Sequence, residues 1–174
     1  NPAANALRII SNTGQNLRHP FAGPLAGMTQ NDATLNYPGP PAVSPAIGLT
    51  GAAYTNNDLD PNTGTTLFDI DTSLKQVVIQ SPPNLGSLVA TGKLTVDTGT
   101  AVGFDIYTTL RKGVAVANTG FASLSVADTF GFYRIARLAH LVDFLALAIL
   151  RRVAHRVAAI AIRIHLQNVR AIAR

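Results

Sequence analysis

The stretch Thr65–Gln80, TTLFDIDTSLKQVVIQ, decides how the chain is read. Phe68 and Ile70 alternate with Leu67 and Asp69, and Asp71-Thr72-Ser73 then supplies turn formers. In KQVVIQ, Val77 and Ile79 share one side, while Gln76, Val78 and Gln80 share the other. Apolar, β-branched and aromatic residues at period two on both arms predict a β-hairpin. SPPNLG, residues 81–86, ends the second arm, because proline cannot donate to a ladder.

The same pattern continues on both sides of the hairpin. Downstream, SLVATGKLTV, AVGFDIYTTL, GVAVAN and FGFYRI read as further short strands between turn residues. Upstream, RIISNTGQNLRH places Ile9 and Ile10 before Asn12-Thr13-Gly14, with Leu17 resuming the apolar pattern. Gly14 supplies the positive φ of a tight turn, and Asn12 has the side chain to bond its own backbone two residues on. The segment is therefore a hairpin turn first. Its polar residues Asn12, Thr13, Gln15 and Asn16 are a candidate ligand loop, as is the Asn56–Gly64 connection.

Composition supports this reading. The 174 residues contain no Cys and no Glu; all nine acidic residues are Asp. Asp, Asn, Gly, Pro, Ser and Thr form turns, whereas Glu favours helices. Without cysteine, disulfides and thiolate metal sites are excluded. All 14 Gly and all 10 Pro precede residue 134. Residues 1–133 hold six Lys/Arg against eight Asp, a balance of −2. Residues 134–174 hold eight Arg against one Asp, a balance of +7, so the net +5 belongs to the tail.

Two regions follow: 1–135, strand-rich, and 136–174, a basic Ala/Leu/Arg-rich tail. Helix propensity and the Arg137, His140, Asp143 spacing predict an α-helical tail. On an ideal helix Arg152, Arg156, Arg163, Arg170 and Arg174 share a narrow arc. Yet IAIRIHLQ, residues 160–167, also alternates as a strand would. An Arg stripe beside an apolar face suits an anionic membrane surface or phosphates. There is no recognisable nucleic-acid motif, and no apolar run approaches the ~18 residues of a membrane span.

Short, regularly punctuated strands point to a sandwich, barrel or propeller. An internal echo favours the propeller: GAAYTN (51–56) before TTLFDID resembles GVAVAN (113–118) before FGFYRIA. The fold class expected is thus mainly β, a partial propeller-like array of antiparallel strands and hairpins with a helical tail.

Candidate chemistry is sparse. In DLDPNTGTTLFD, Asp58, Asp60 and Asn62 offer oxygens at alternate positions and Asp69 stands twelfth, a spacing reminiscent of calcium loops. Thr63 replaces the glycine such a loop needs, and Asp69 replaces the bidentate Glu. A solvated inter-strand loop is the plainer reading, with calcium as the candidate cofactor. Asp69 and Asp71 could be paired carboxylates, but Asp at a strand end ordinarily bonds the turn backbone. His19 stands alone in the β region, while His140, His155 and His165 lie in the tail without a zinc-like pair at 140 and 155. No nucleophile elbow or phosphate-binding loop is present. The leading function is a non-catalytic structural or ligand-binding scaffold. Its alternatives are membrane or polyanion association through the tail and, last, a hydrolase.

NPAANALRIISNTGQNLR, AAYTNN, TTLFDIDTSLKQVVIQSPPNLGSL and VGFDI together resemble the bacterial family catalogued as domain of unknown function 4394, from Asn1 to about Ile135. The resemblance implies secreted or extracytoplasmic β-propellers and brings no activity to any residue. It also implies that the chain begins inside the domain. Its partners would then be the missing blades, or other copies paired through open strand edges. After FYRI the resemblance stops, where a Thr-Gly turn and a Thr-rich strand are expected. An altered reading frame in GC-rich DNA would give such a switch. Gene sequencing that finds the family-like frame uninterrupted only in the present register would overturn that reading.

Overall fold

The alternation around Phe68 and Ile70 recurs as antiparallel strands along the chain. The computed structural model describes residues 1–58, 60–136 and 138. Its strands are β1 (Ala6–Ile10), β2 (Asn16–Pro20), β3 (Gln30–Asn31), β4 (Asn36–Tyr37), β5 (Ser44–Pro45) and β6 (Leu49–Tyr54), followed by β7 (Leu67–Asp71), β8 (Gln76–Gln80), β9 (Leu88–Lys93), β10 (Val102–Arg111), β11 (Val114–Val126) and β12 (Thr129–Ile135). They form three meanders, β1-β2-β3, β6-β7-β8-β9 and β10-β11-β12, and a small hairpin, β4-β5. Among the described residues the only helical segment is a 3-10 turn at Pro83–Leu85, inside the proline-rich stop after β8. No described helix is long and apolar enough to cross a membrane.

The deciding hairpin has the expected register: Phe68 opposes Ile79, Asp69 opposes Val78 and Ile70 opposes Val77. All five residues of β7 are nevertheless buried, because the β6–β9 sheet is covered on both faces. On one face Ala53, Phe68, Ile70 and Val77 pack against Ile106, Ala122, Leu124 and Ile135 of the β10–β12 sheet. On the other, Leu49, Val78 and Leu88 pack against Leu35 and Ala46, with Ile10 and Tyr37 beside them. The second face also carries Asp69, Asp71, Gln76 and Gln80, all buried. Such a face survives burial when its polar groups find partners or stay uncharged.

β6 packs against both β1 and β10, so the first strands of the three meanders lie side by side. Gly51 makes the β6–β10 approach close: a Cβ there would stand 2.8 Å from Phe104 Cβ.

The internal echo has a different meaning from the one its text gives. GAAYTN falls in the end of β6, the first strand of its sheet, and the two residues after it, whereas GVAVAN falls in the turn before β11 and in β11 itself, the second strand. The two stretches share composition but not their place in a sheet. The helix expected over 136–174, with Arg152, Arg156, Arg163, Arg170 and Arg174, lies outside the described residues apart from Ala136 and Leu138, which are not helical.

Candidate functional site

Alternation along β1 turns Leu7 and Ile9 outward and Arg8 inward, where its side chain keeps only 5% of its exposure. One guanidinium nitrogen, Nη1, donates to Asn16 Oδ1 at 2.8 Å and Asp32 Oδ2 at 2.6 Å. The other, Nη2, donates to Asn84 Oδ1 at 2.8 Å. Arg18, opposite Arg8 on β2, shares Asp32 at 3.3 Å. Burial works against the Arg8 cation, but Tyr54 and Asp32 outweigh it and hold the pKa above its ordinary value.

Asn16 joins this cation to the middle sheet. Its amide donates to Ala33 O and Pro83 O, both at 2.9 Å, and its Oδ1 also accepts from Gln80 Nε2 at 3.2 Å. Asp69, on the same face of the sheet, is fully buried, and neither carboxyl oxygen has a hydrogen-bond partner within the protein. Burial pushes its carboxyl up to about 8, and the nearby Arg8 charge only partly opposes that. At neutral pH it is therefore predominantly the neutral acid.

Asp71, two residues on, behaves as a strand-end Asp should. Its Oδ1 accepts from the Leu74 backbone at 2.8 Å, and its Oδ2 accepts from the Tyr37 hydroxyl. Burial, then the Asp71 carboxylate, pushes the Tyr37 hydroxyl pKa up, so Tyr37 stays a donor.

In front of Arg8 the first strands enclose a cleft of about 240 Å³. Leu7 and Arg8 contribute from β1, Ala52 to Tyr54 from β6, and Asp105 and Ile106 from β10; Asn57 lies at the end of β6. Asp105 is solvent-exposed and Arg8 is already neutralised by Asp32, so the polar side chains of the cleft wall that a ligand meets include Asp105, Asn57, Asn1 and Tyr54, whose hydroxyl also faces Arg8.

The loop holding Asn57 is fixed from the neighbouring sheet. Asn56 and Asn118 bond reciprocally, through Asn56 N to Asn118 Oδ1 at 2.9 Å and Asn118 Nδ2 to Asn56 Oδ1 at 2.8 Å. Thr108 Oγ1 donates to Asn118 at 2.9 Å and accepts from Asn57 N at 3.1 Å.

The candidate calcium ligands are dispersed. Asp58 and Asp60 accept from backbone N–H groups two residues ahead, at 3.0 and 2.9 Å, with Asn62 Nδ2 donating back to Asp60. Asp69 lies in β7 within the buried face. Among the described residues no three acidic or imidazole side chains gather as metal ligands would. The loop is thus a run of side-chain-closed turns, and the twelfth ligand faces inward because β7 has already begun.

The Asn12–Asn16 segment is the hairpin turn between β1 and β2. Ser11, not Asn12, closes it: its Oγ accepts from Gln15 N at 3.2 Å and contacts Thr13 Oγ1 at 2.8 Å. Gly14 has φ +89° as expected. Asn12, Thr13 and Gln15 are exposed, whereas Asn16 is buried and structural. The Arg8–Asp32–Asn84 cluster and the cleft have no local signal in sequence, since their residues lie 24 and 76 positions apart.

No curated protein and no solved structure matches the chain. Residues 1–139 match the family described as Domain of unknown function (DUF4394), and the chain belongs to that family.

Proposed function

We propose that this domain is a non-catalytic, propeller-like binding scaffold of the bacterial cell exterior, with its ligand site where β1, β6 and β10 converge. One observation supports this reading above others: the first strands of three successive meanders line a single cleft. In a propeller those strands are the ones that border the central channel. The extracytoplasmic placement follows from the family resemblance alone.

The cleft's chemistry selects the ligand. At about 240 Å³ it lies below the roughly 300–1,000 Å³ typical of drug-sized ligands, so its guest is small. A carboxylate, a carboxamide and a phenol at its wall, with apolar Leu7 and Ala52 between, suit a neutral polyol such as a monosaccharide. The nucleophile–base pair that a hydrolytic reading needs is not formed by Asp69, whose carboxyl is buried behind the cleft and is not among its lining groups.

Ligand-observed NMR with a panel of neutral mono- and disaccharides tests the proposal. Binding is expected at millimolar affinity and should weaken about tenfold in Asp105→Ala, the loss of one hydrogen bond to a charged group. If no neutral sugar binds, or if Asp105→Ala and Asn57→Ala bind unchanged, the cleft is not the site.

A further inference from the structure

Five buried side-chain nitrogen or oxygen atoms among the described residues find no partner in the protein, and four of them belong to three side chains. They are both carboxyl oxygens of Asp69, Oε1 of Gln80 and Nε of Arg8; the fifth, Thr50 Oγ1, sits at the bulge of β6. The three side chains are almost wholly enclosed, with exposures of 0% for Asp69, 1% for Gln80 and 5% for the Arg8 side chain. Buried polar atoms are ordinarily satisfied, so four bare ones in one place call for a partner.

The three side chains are neighbours. Register sets Asp69 opposite Val78, so Gln80, two residues on, lies diagonal to it on the same buried face. Gln80 Nε2 and Arg8 Nη1 both donate to Asn16 Oδ1, at 3.2 and 2.8 Å. The Arg8 charge in turn acts on the Asp69 carboxyl. Small side chains flank the acid: Ala52 opposes it on β6, and Ala46 belongs to the cover of this face.

We propose that Asp69, Gln80 and Arg8 together hold one internal water, a built polar site behind the cleft. The count of hydrogens fits. Arg8 Nε–H and the O–H of the neutral Asp69 acid are two donors; Gln80 Oε1 and the second Asp69 oxygen are two acceptors. Water offers two of each, so a single molecule satisfies all four groups. Loss of the Asp69 proton would turn a donor into an acceptor and break this match, which favours the neutral acid in addition to burial. A metal cation fits worse, because it cannot accept the Arg8 N–H and would stand beside a like charge. The water ties the cation of the first sheet to the acid of the middle sheet, which the direct hydrogen bonds leave unconnected. Arg8 and Ala52 also line the cleft, so the water sits behind that wall and apart from the groups a sugar meets.

Oxygen-17 magnetic relaxation dispersion, which counts long-lived internal waters in solution, tests this on the full chain. Asp69→Leu fills the site with an apolar side chain and should hold one such water fewer than wild type. Asp69→Asn, whose carboxamide keeps a donor and an acceptor, should retain it. An unchanged count in Asp69→Leu overturns the site, and a loss in Asp69→Asn overturns the hydrogen match. A crystal structure of the wild type decides the matter should either variant fail to fold. One density peak at hydrogen-bond distance, ~2.7–3.2 Å, from Asp69, Gln80 Oε1 and Arg8 Nε supports the proposal. No peak overturns it, as does one held by oxygens alone at the ~2.3–2.6 Å of a metal such as calcium.

Discussion

Asp69 is the residue whose chemistry departs furthest from its type. Its carboxyl loses bulk water on folding and gains no hydrogen bond from the protein in return, while Arg8 recovers only part of the loss. An acid whose folded pKa is raised binds its proton more tightly in the native state. The stability this confers is full below about pH 4 and declines as pH rises to about 8, where the folded carboxyl ionises. Urea unfolding midpoints should therefore fall between pH 5 and pH 8.5. In Asp69→Asn, isosteric and uncharged, that fall should be largely gone; an equal fall in both proteins would place the pH dependence elsewhere. Arg8 differs in kind. Its charge is matched by Asp32 at 2.6 Å, and removing Asp32 leaves the Arg8 cation buried with no carboxylate beside it, whereas Asp32 without Arg8 keeps Arg18.

At the scale of elements, Gly51 sets how closely β6 and β10 run. Gly51→Val would drive side-chain atoms into Phe104 and Val102, where even a Cβ is too close. Overpacking of this kind costs roughly 1–3 kcal/mol. A thermal melt should show Tm lowered by several degrees, with sugar affinity reduced in parallel because the cleft lies along the same two strands. The elements themselves were legible in sequence. Phe68, Ile70, Val77 and Ile79 alternate over a hairpin whose partners are adjacent, and the strand at Val102–Arg111 is plain in GFDIYTTL. What alternation conceals is burial on the polar side. Asp69, Asp71, Gln76 and Gln80 at every second position read as a solvated face, and nothing local says that residues 33–46 will cover it. Leu35 and Ala46, each 1% exposed, belong to that cover, yet they sit among prolines and turn residues that look like surface loop. The calcium spacing counts positions along the chain, whereas β7 turns its last member, Asp69, into the buried face.

Over the whole molecule the order of burial sets the order of opening. β7 and β8 are covered on both faces and paired on both edges, whereas β3, β4 and β5 are two-residue pairings near the surface. Amide hydrogen exchange should be slowest at Phe68–Ile70 and Val77–Ile79 and fastest over the exposed Gly23–Met28 loop, by at least a hundredfold. Uniform protection would mean that the three meanders open as one.

The middle sheet's two faces are chemically unlike, and this gives the array a direction. Turned over, the sheet would set the acid of Asp69 and the amide of Gln80 against Leu124 and Ile106, and would face Phe68 and Ile70 with the Arg8 guanidinium. Both junctions would add stranded polar groups to the Asp69 oxygens that already lack a partner in the protein. The middle meander is thus keyed, like a tile with a tongue on one side and a groove on the other. A transplanted copy of the middle meander would be accepted only in its original sense, so the order of its two neighbours is fixed by which side chains it turns to each.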